Sequence, residues 1–357
     1  AANLADQARR RARHEDRGER SQLLGLEEAR RRRPRFDWAA DPPEAPKRPG
    51  VHRFDRQELA ELEARIDWTP FFQAWEMPGR YPDLLADPRS GPQATVLHRD
   101  ALGLLERIRR EGLLRARGVV GIFPAAADGD DLVVYADESR RAERARLPMM
   151  RQQRRGRSGE TNLCLADFVA PAGGGVPDWI GMFALTAGHG AAELAAGFEA
   201  AHDDYSAILA KALADRLAEA FAERLHELLR RELWGYETGP ALDNAALVAE
   251  GYRGIRPAPG YPACPDHGPK RAIFELLDAE AATGTRLTET LAIDPAASVC
   301  GLYLAHPKAC YFGVGRLGAD QLEDYAARAG TTPDELSRRI GLSAEPGAAQ
   351  TEASSTP

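Results

Sequence analysis

The chain has 357 residues, a hydrophobic fraction of 43% and a formal net charge of −7, so it can bury a substantial core in one large or two medium domains. No apolar run approaches the ~20 residues of a membrane-spanning helix, so we expect no membrane partner. The four cysteines form no CxxC pair and follow no signal peptide, which favours reduced thiols and a cytoplasmic location.

The amino-terminal region combines an arginine-rich segment with a proline-rich one. Residues 1–35 hold 11 Arg and 6 acidic residues of alternating sign, with no aromatic side chain for base stacking. A solvated linker helix is therefore favoured over an arm that binds nucleic acid. Asp41–Gly50 holds too many prolines for a helix and is typical of a semi-rigid spacer. We predict a linker over residues 1–53, one domain over 54–344 and a disordered tail over 345–357.

Strand signals come as short apolar runs in neighbouring pairs, joined by turns such as Asp128–Asp130 and His306–Lys308. Such short connections predict antiparallel meanders. The six predicted strands are Val119–Phe123, Leu132–Tyr135, Leu163–Val169, Trp179–Thr186, Val299–Ala305 and Tyr311–Val314.

One long segment, Asp203 to about Trp234, has the periodicity of an amphipathic helix. Its apolar residues recur every three or four positions, at Leu209, Leu213, Leu217, Phe221, Leu225 and Leu228. Strands segregated from long helices predict an α+β fold. The expected architecture is a single large domain of antiparallel strands flanked by long helices, preceded by an extended linker.

The segment Arg256–His267, RPAPGYPACPDH, is the strongest functional signal. Its four prolines exclude a helix or a regular strand, so it must be an ordered loop, and Gly260 is free to adopt a positive φ. Arg256 offers a guanidinium fork for a carboxylate, and Tyr261 offers a flat ring with a hydroxyl. This chemistry suits a zwitterionic ligand.

Acidic residues elsewhere have a structural interpretation on the sequence alone. Asp67 stands between apolar residues, where a charge is costly unless it is paired, and it can cap a helix at Thr69-Pro70. Asp215 and Glu219 lie four residues apart on the long helix, away from its apolar stripe, which is typical of a solvated face. Glu250 lies six residues before Arg256.

Two other patterns carry less weight. Cys264 and His267 lack the recurrent spacing of a zinc site, so no metal site is predicted. The glycines of a GxGxxG pattern, Gly313, Gly315 and Gly318, lack the following strand of a dinucleotide-binding fold and are interpreted as a strand exit.

Eight further strings occur in order along the chain: IDWTPFF, GVVGIFPA, GDDLVVY, LADFVAP, FEAAHDDYSAILAKALADRLAEAFAERLHE, LWGY, LTET and AHP. Together with RPAPGYPACPDH, they make the chain resemble the S-adenosylmethionine-binding activation domain of cobalamin-dependent methionine synthase, from about Phe54 to about Gly341. RPAPGYPACPDH is similar to the signature loop of that family. The cobalamin domain of the family, with its DxHxxG motif, is absent, and so is the homocysteine domain that carries the family's zinc. The chain is therefore expected to be a fragment or one subunit of a split enzyme.

The resemblance implies a role in methionine biosynthesis, in the repair of an oxidised cofactor. The domain caps cob(II)alamin carried by the cobalamin-binding domain, an electron arrives from a flavodoxin-like donor, and S-adenosylmethionine supplies the methyl group. The protein then acts by positioning, without a catalytic general base. This makes it part of a methyltransferase, 5-methyltetrahydrofolate–homocysteine methyltransferase, although the fragment alone is not expected to make methionine. The alternative is an S-adenosylmethionine-binding sensor or docking module without catalysis of its own.

The resemblance also implies roles for individual residues. Arg256 binds the ligand carboxylate, Asp67 contacts the ammonium group, and Tyr311 faces the ligand while Phe312 enters the core. Glu219 and Glu250 are either ligand-side acids or solvated. Asp215 and Glu219 belong to the surface that docks the cobalamin domain. The expected ligand-binding set is Asp67, Glu219, Glu250, Arg256, Pro257, Ala258, Pro259, Gly260, Tyr261, Tyr311 and Phe312.

Overall fold

A computed structural model describes residues 23–156 and 159–341. The α-helices of this part of the chain are α1 (Leu26–Arg31), α2 (Leu59–Glu63), α3 (Trp68–Ala74), α4 (Gly91–Glu111), α5 (Ala191–Ala200), α6 (Asp204–Leu228), α7 (Asn244–Val248), α8 (Lys270–Leu277), α9 (Ala279–Thr283), α10 (Ala319–Arg328) and α11 (Pro333–Arg339). The strands are β1 (Gly50–Gln57), β2 (Arg115–Asp128), β3 (Asp131–Tyr135), β4 (Glu143–Pro148), β5 (Asp178–His189), β6 (Arg286–Leu287), β7 (Ile293–Asp294) and β8 (Ser298–Tyr303). Two 3-10 turns, Asp83–Ala86 and Leu165–Phe168, and a π-helical turn, Leu229–Leu233, complete the regular structure.

The main sheet has six antiparallel strands in the order β4-β3-β2-β5-β8, with β1 also paired to β2. The 14 residues of β2 are long enough for β1 and β3 to pair with different halves of it. The meander of β2, β3 and β4 follows the predicted hairpin turn at Asp128–Asp130. A short pair, β6 and β7, lies apart.

Helices cover both faces of this sheet because successive strand residues point to opposite sides. Val120 of β2 joins a core with α3, α4 and α6, whereas its neighbour Val119 joins a second core with α8 and α9. The predicted α+β class is thus confirmed, with the sheet between two helical layers.

The long predicted helix is confirmed as α6, which continues into the π-helical turn. Its side-chain cap is Asp203, which accepts a hydrogen bond from the backbone N–H of Ser206 at 3.0 Å. The apolar stripe is buried against the sheet, which fixes the rotation of the helix about its axis. The fully buried members of the stripe are Leu209, Leu213, Leu217, Phe221 and Leu225.

The predicted linker over residues 1–53 needs correction where the structure describes it. Arg30 of α1 binds Asp130 at 2.8 Å and Asp324 at 2.9 Å, and β1 crosses the predicted boundary at residue 54. The proline-rich run is not helical, as predicted, but it is held to the body: the backbone N–H of Arg48 donates to the carbonyl of Leu233 at 2.8 Å. Residues 23–53 therefore belong to the folded unit. Residues 1–22 and the predicted disordered tail over 345–357 lie outside the described residues.

Two predicted strands are wrong. Leu163–Val169 contains the 3-10 turn Leu165–Phe168 instead of a strand, and Tyr311–Val314 has no regular secondary structure. The second case has a topological reason. One edge of β8 pairs with β5. The other is occupied by the start of the proline-rich loop, where Leu302 N–H donates to the carbonyl of Pro257 at 2.8 Å. No edge remains for a hairpin partner.

Among the described residues, no helix is both long and apolar enough to cross a membrane.

Candidate functional site

The proline-rich loop is fastened to the edge of the sheet and turns back at Gly260. Ile255 and Leu304 exchange two backbone hydrogen bonds of 3.0 Å. Gly260 has φ +97°, and a Cβ there would lie 2.2 Å from the ring of His267, so no other residue fits. The turn is closed by Gly260 N–H donating to the Cys264 carbonyl at 2.7 Å. The loop is ordered, as its composition predicts, and holds Arg256 next to β8.

A cavity of about 490 Å³ lies between this loop, α6 and the end of the sheet. This is within the usual size range of small-molecule sites, ~300–1,000 Å³. Helix α6 contributes Glu219 and Ala222, and the sheet contributes Phe183 and Val299. The remaining lining residues are Glu250, Arg256, Pro257, Ala258, Tyr261, Pro262, Ala263, Tyr311 and Phe312.

Arg256 is held in place by four neighbours, of which the most distant is Nδ1 of His226, 3.5 Å from Nη1. Its Nη1 lies 2.6 Å from Oε2 of Glu223 and donates to the hydroxyl of Tyr252 at 2.8 Å. Its backbone N–H donates to the hydroxyl of Tyr311 at 3.0 Å. Among the described residues no acceptor is bound to its Nε or Nη2, and the side chain keeps 22% of its exposure. One part of the guanidinium is thus fixed by the protein, and the rest remains available to a ligand on the cavity side.

Behind Arg256 lies a group of polar side chains that we call the polar floor. Glu223, His226, Arg230 and Tyr303 are buried, and Tyr252 is half-buried. The Arg230 guanidinium stacks over the Tyr252 ring at 4.1 Å, and the His226 ring stacks on Tyr303 at 5.0 Å. Burial raises the pKa of Glu223, against the effect of Arg256, and burial holds the pKa of His226 well below its ordinary value. His226 is therefore neutral near pH 7.

The sequence interpretation missed the polar floor. Glu223 follows Glu219 by one helical turn, so it continues the same row of carboxylates along α6. That spacing was a usable signal. The contact of Tyr252 and Arg230 was not predictable, because it depends on where the chain after α6 returns to the helix.

The predicted site residues fall into three groups. The cavity brings together Glu219, Glu250, Arg256, Pro257, Ala258, Tyr261, Tyr311 and Phe312. Pro259 and Gly260 shape the turn without lining the cavity. Asp67 caps α3 by accepting from Thr69 N–H at 2.9 Å, as its structural interpretation predicted, and does not line the cavity.

Asp215 is exposed on α6, one turn before Glu219 and outside the cavity lining.

Tyr311 and Phe312 were predicted to point to opposite faces of a strand, one to the ligand and one to the core. Because the segment is not a strand, both line the cavity, and Phe312 also packs on the core.

The chain is similar to a known protein family and to a solved structure. A family model described as the activation domain of vitamin B12 dependent methionine synthase matches residues 58–330. The crystal structure of the MetH reactivation domain bound to AdoHcy is similar, with 46% sequence identity and a TM-score of 0.87. The similarity covers 90% of this chain and 98% of that chain.

Proposed function

This chain belongs to the family of activation domains of vitamin B12-dependent methionine synthases, and we propose that it binds S-adenosylmethionine in the cavity beside Arg256 and supports reductive methylation of cobalamin. The observation that carries the proposal is the part-fixed guanidinium of Arg256 in a cavity that also holds two carboxylates. A related domain is described as bound to AdoHcy, the demethylated form of the same ligand.

Each part of S-adenosylmethionine finds a matching group on the cavity wall. The guanidinium of Arg256 suits the carboxylate, and Glu219 and Glu250 suit the ammonium group. The rings of Tyr261 and Tyr311, which are 57% and 40% exposed, offer flat surfaces to the adenosine part. Asp67 is left out of this assignment, because its carboxylate caps α3.

The protein contributes by positioning the ligand. S-adenosylmethionine supplies an activated methyl group to the cobalt of cobalamin, which a separate domain of the enzyme carries and a flavodoxin-like donor reduces by one electron. Because a sulfonium is already a good methyl donor, no general base is required, and holding the methyl group in line is the main task. Arg256 and the ordered loop perform it from one side, and α6 from the other. Zinc belongs to the homocysteine chemistry of another domain.

Thermal unfolding tests the proposal directly. Ligand that binds only the folded state stabilises it by RT ln(1 + [L]/Kd), about 2.7 kcal/mol at a hundredfold excess over Kd. We expect S-adenosylmethionine to raise the melting temperature and an equal concentration of free methionine, which lacks the adenosine, to have much less effect. An unchanged melting temperature with saturating S-adenosylmethionine contradicts the proposed function.

A further inference from the structure

The π-helical turn Leu229–Leu233, which follows α6 directly, carries a fully buried arginine, Arg230. Its Nε binds a carboxylate oxygen of Glu237, whereas its Nη1 and Nη2 have no hydrogen-bond partner among the described residues. π-helical turns are rare and often occur at functional sites. A buried guanidinium with two unpartnered nitrogens is costly, so its surroundings indicate what it stabilises.

The guanidinium of Arg230 lies over the ring of Tyr252, with its Cζ 4.1 Å from the ring centroid. This is well inside the range of a cation–π contact, and such contacts are stronger where water is excluded. The ring of His226 meets the same tyrosine edge-on, with the ring centroids 4.8 Å apart. Two side chains from the end of the long helix and its π-helical turn therefore hold the Tyr252 ring.

The hydroxyl of Tyr252 fixes one nitrogen of Arg256. Its oxygen accepts a hydrogen bond from Nη1 of Arg256 at 2.8 Å, and the same nitrogen lies 2.6 Å from Oε2 of Glu223. A guanidinium is planar and its N–H groups have fixed directions, so two acceptors on Nη1 also set the direction of Nε and Nη2. Tyr252 itself does not line the cavity, so it can act on a ligand only through Arg256.

We propose that Tyr252, held by Arg230 of the π-helical turn, is a positioning residue that aims the Arg256 guanidinium at the carboxylate of the ligand. An arginine loses rotamer freedom when it binds a ligand, and one that is already held loses less, so its affinity is higher. The anchored carboxylate in turn restricts where the sulfonium methyl group lies. This inference rests on the proposed binding of S-adenosylmethionine in this cavity.

The first test removes only the hydroxyl group. Y252F keeps the ring on which Arg230 lies and deletes the oxygen that binds Arg256. Calorimetry gives the Kd of S-adenosylmethionine and of decarboxylated S-adenosylmethionine, which keeps the adenosine, the sulfonium and the ammonium group but has no carboxylate. The control Y325F deletes the same atom from another buried tyrosine, whose hydroxyl donates to Asp266 at 2.9 Å outside the cavity.

We expect Y252F to raise the Kd of S-adenosylmethionine about fivefold, the effect of one long side chain that must be immobilised at binding. The Kd of the decarboxylated ligand should stay unchanged, because it has no carboxylate for Arg256 to receive. Y325F should change neither value. A loosened fold weakens binding of both ligands, whereas a loss of positioning weakens only the ligand that has the carboxylate.

The second test concerns Arg230. R230M/E237Q removes the cation together with its carboxylate partner, so no unpaired charge is left buried. We expect the Kd of S-adenosylmethionine to rise about threefold, the size of a cation–π contact. The same change should have no further effect in Y252F, because Arg230 acts on Arg256 through the Tyr252 hydroxyl.

Different results overturn different parts of the inference. Wild-type affinity for S-adenosylmethionine in Y252F refutes the positioning role while the proposed function stands. Equal losses for the two ligands in Y252F, or the same loss in Y325F, show that the tyrosine only stabilises the fold. Additive losses in Y252F/R230M/E237Q refute the part assigned to Arg230. If the wild-type protein does not bind S-adenosylmethionine, the proposed function fails and the inference fails with it.

Discussion

Replacement of Arg256 by alanine should reduce both ligand affinity and folding stability, because this side chain has two roles. The guanidinium faces the proposed ligand, and it is also the partner of Glu223, whose carboxylate lies 2.6 Å away with 10% side-chain exposure. Removal of a charged partner from a ligand carboxylate costs roughly 2 kcal/mol or more, about a thirtyfold loss of affinity. Breaking a buried ion pair costs roughly 3–5 kcal/mol of folding stability, and the partial exposure of Arg256 favours the lower end.

The double variant R256A/E223Q distinguishes these effects. Its glutamine carries no charge, so much of the lost folding stability should return, by roughly 2 kcal/mol. Binding of S-adenosylmethionine should not return, because the group that receives its carboxylate is still missing. The assays are urea unfolding without ligand and calorimetry with S-adenosylmethionine. R271A, which removes an exposed arginine on α8 outside the cavity, is the control.

Three results would refute this reasoning. Wild-type affinity in R256A would remove Arg256 from the ligand site. Recovery of both stability and affinity in R256A/E223Q would show that the single variant lost binding only because its fold was damaged. Wild-type folding stability in R256A would show that Glu223 tolerates its burial without this partner.

Two further predictions concern docking and pH. D215N changes an exposed residue beside the cavity, so the free energy of unfolding should stay within ~0.5 kcal/mol of wild type and the affinity for S-adenosylmethionine should not change. Remethylation of a cobalamin domain supplied in trans should become slower. Equal remethylation rates of D215N and wild type below saturation would place the docking surface elsewhere. Burial lowers the pKa of His306 to about 4. Between about pH 6.5 and 4, this histidine is therefore protonated in the unfolded chain but not in the folded one. The free energy of unfolding should decrease as the pH falls through this range. Urea unfolding from pH 7 to 4 should show a smaller decrease for H306Q, and an identical slope contradicts the assignment.

The sequence by itself determined the features that depend on local chemistry. Proline rings exclude regular structure from Arg256–His267, a three-to-four periodicity specifies α6, and β-branched runs around Asp128–Asp130 specify a hairpin. Each of these follows from constraints within a few residues, and each is present in the structure. The match of several strings in one order indicated the family.

Only the tertiary structure decided which distant residues meet. Tyr311–Val314 has the composition of a strand, but the edge of β8 is taken by the loop of Pro257, so Tyr311 and Phe312 line the cavity instead. Arg256 and Glu223 are 33 positions apart in the printed sequence, and nothing local to either one specifies their 2.6 Å contact. The charge that the cavity presents to a ligand depends on that contact, because an ion pair forms only where folding brings opposite charges together out of water.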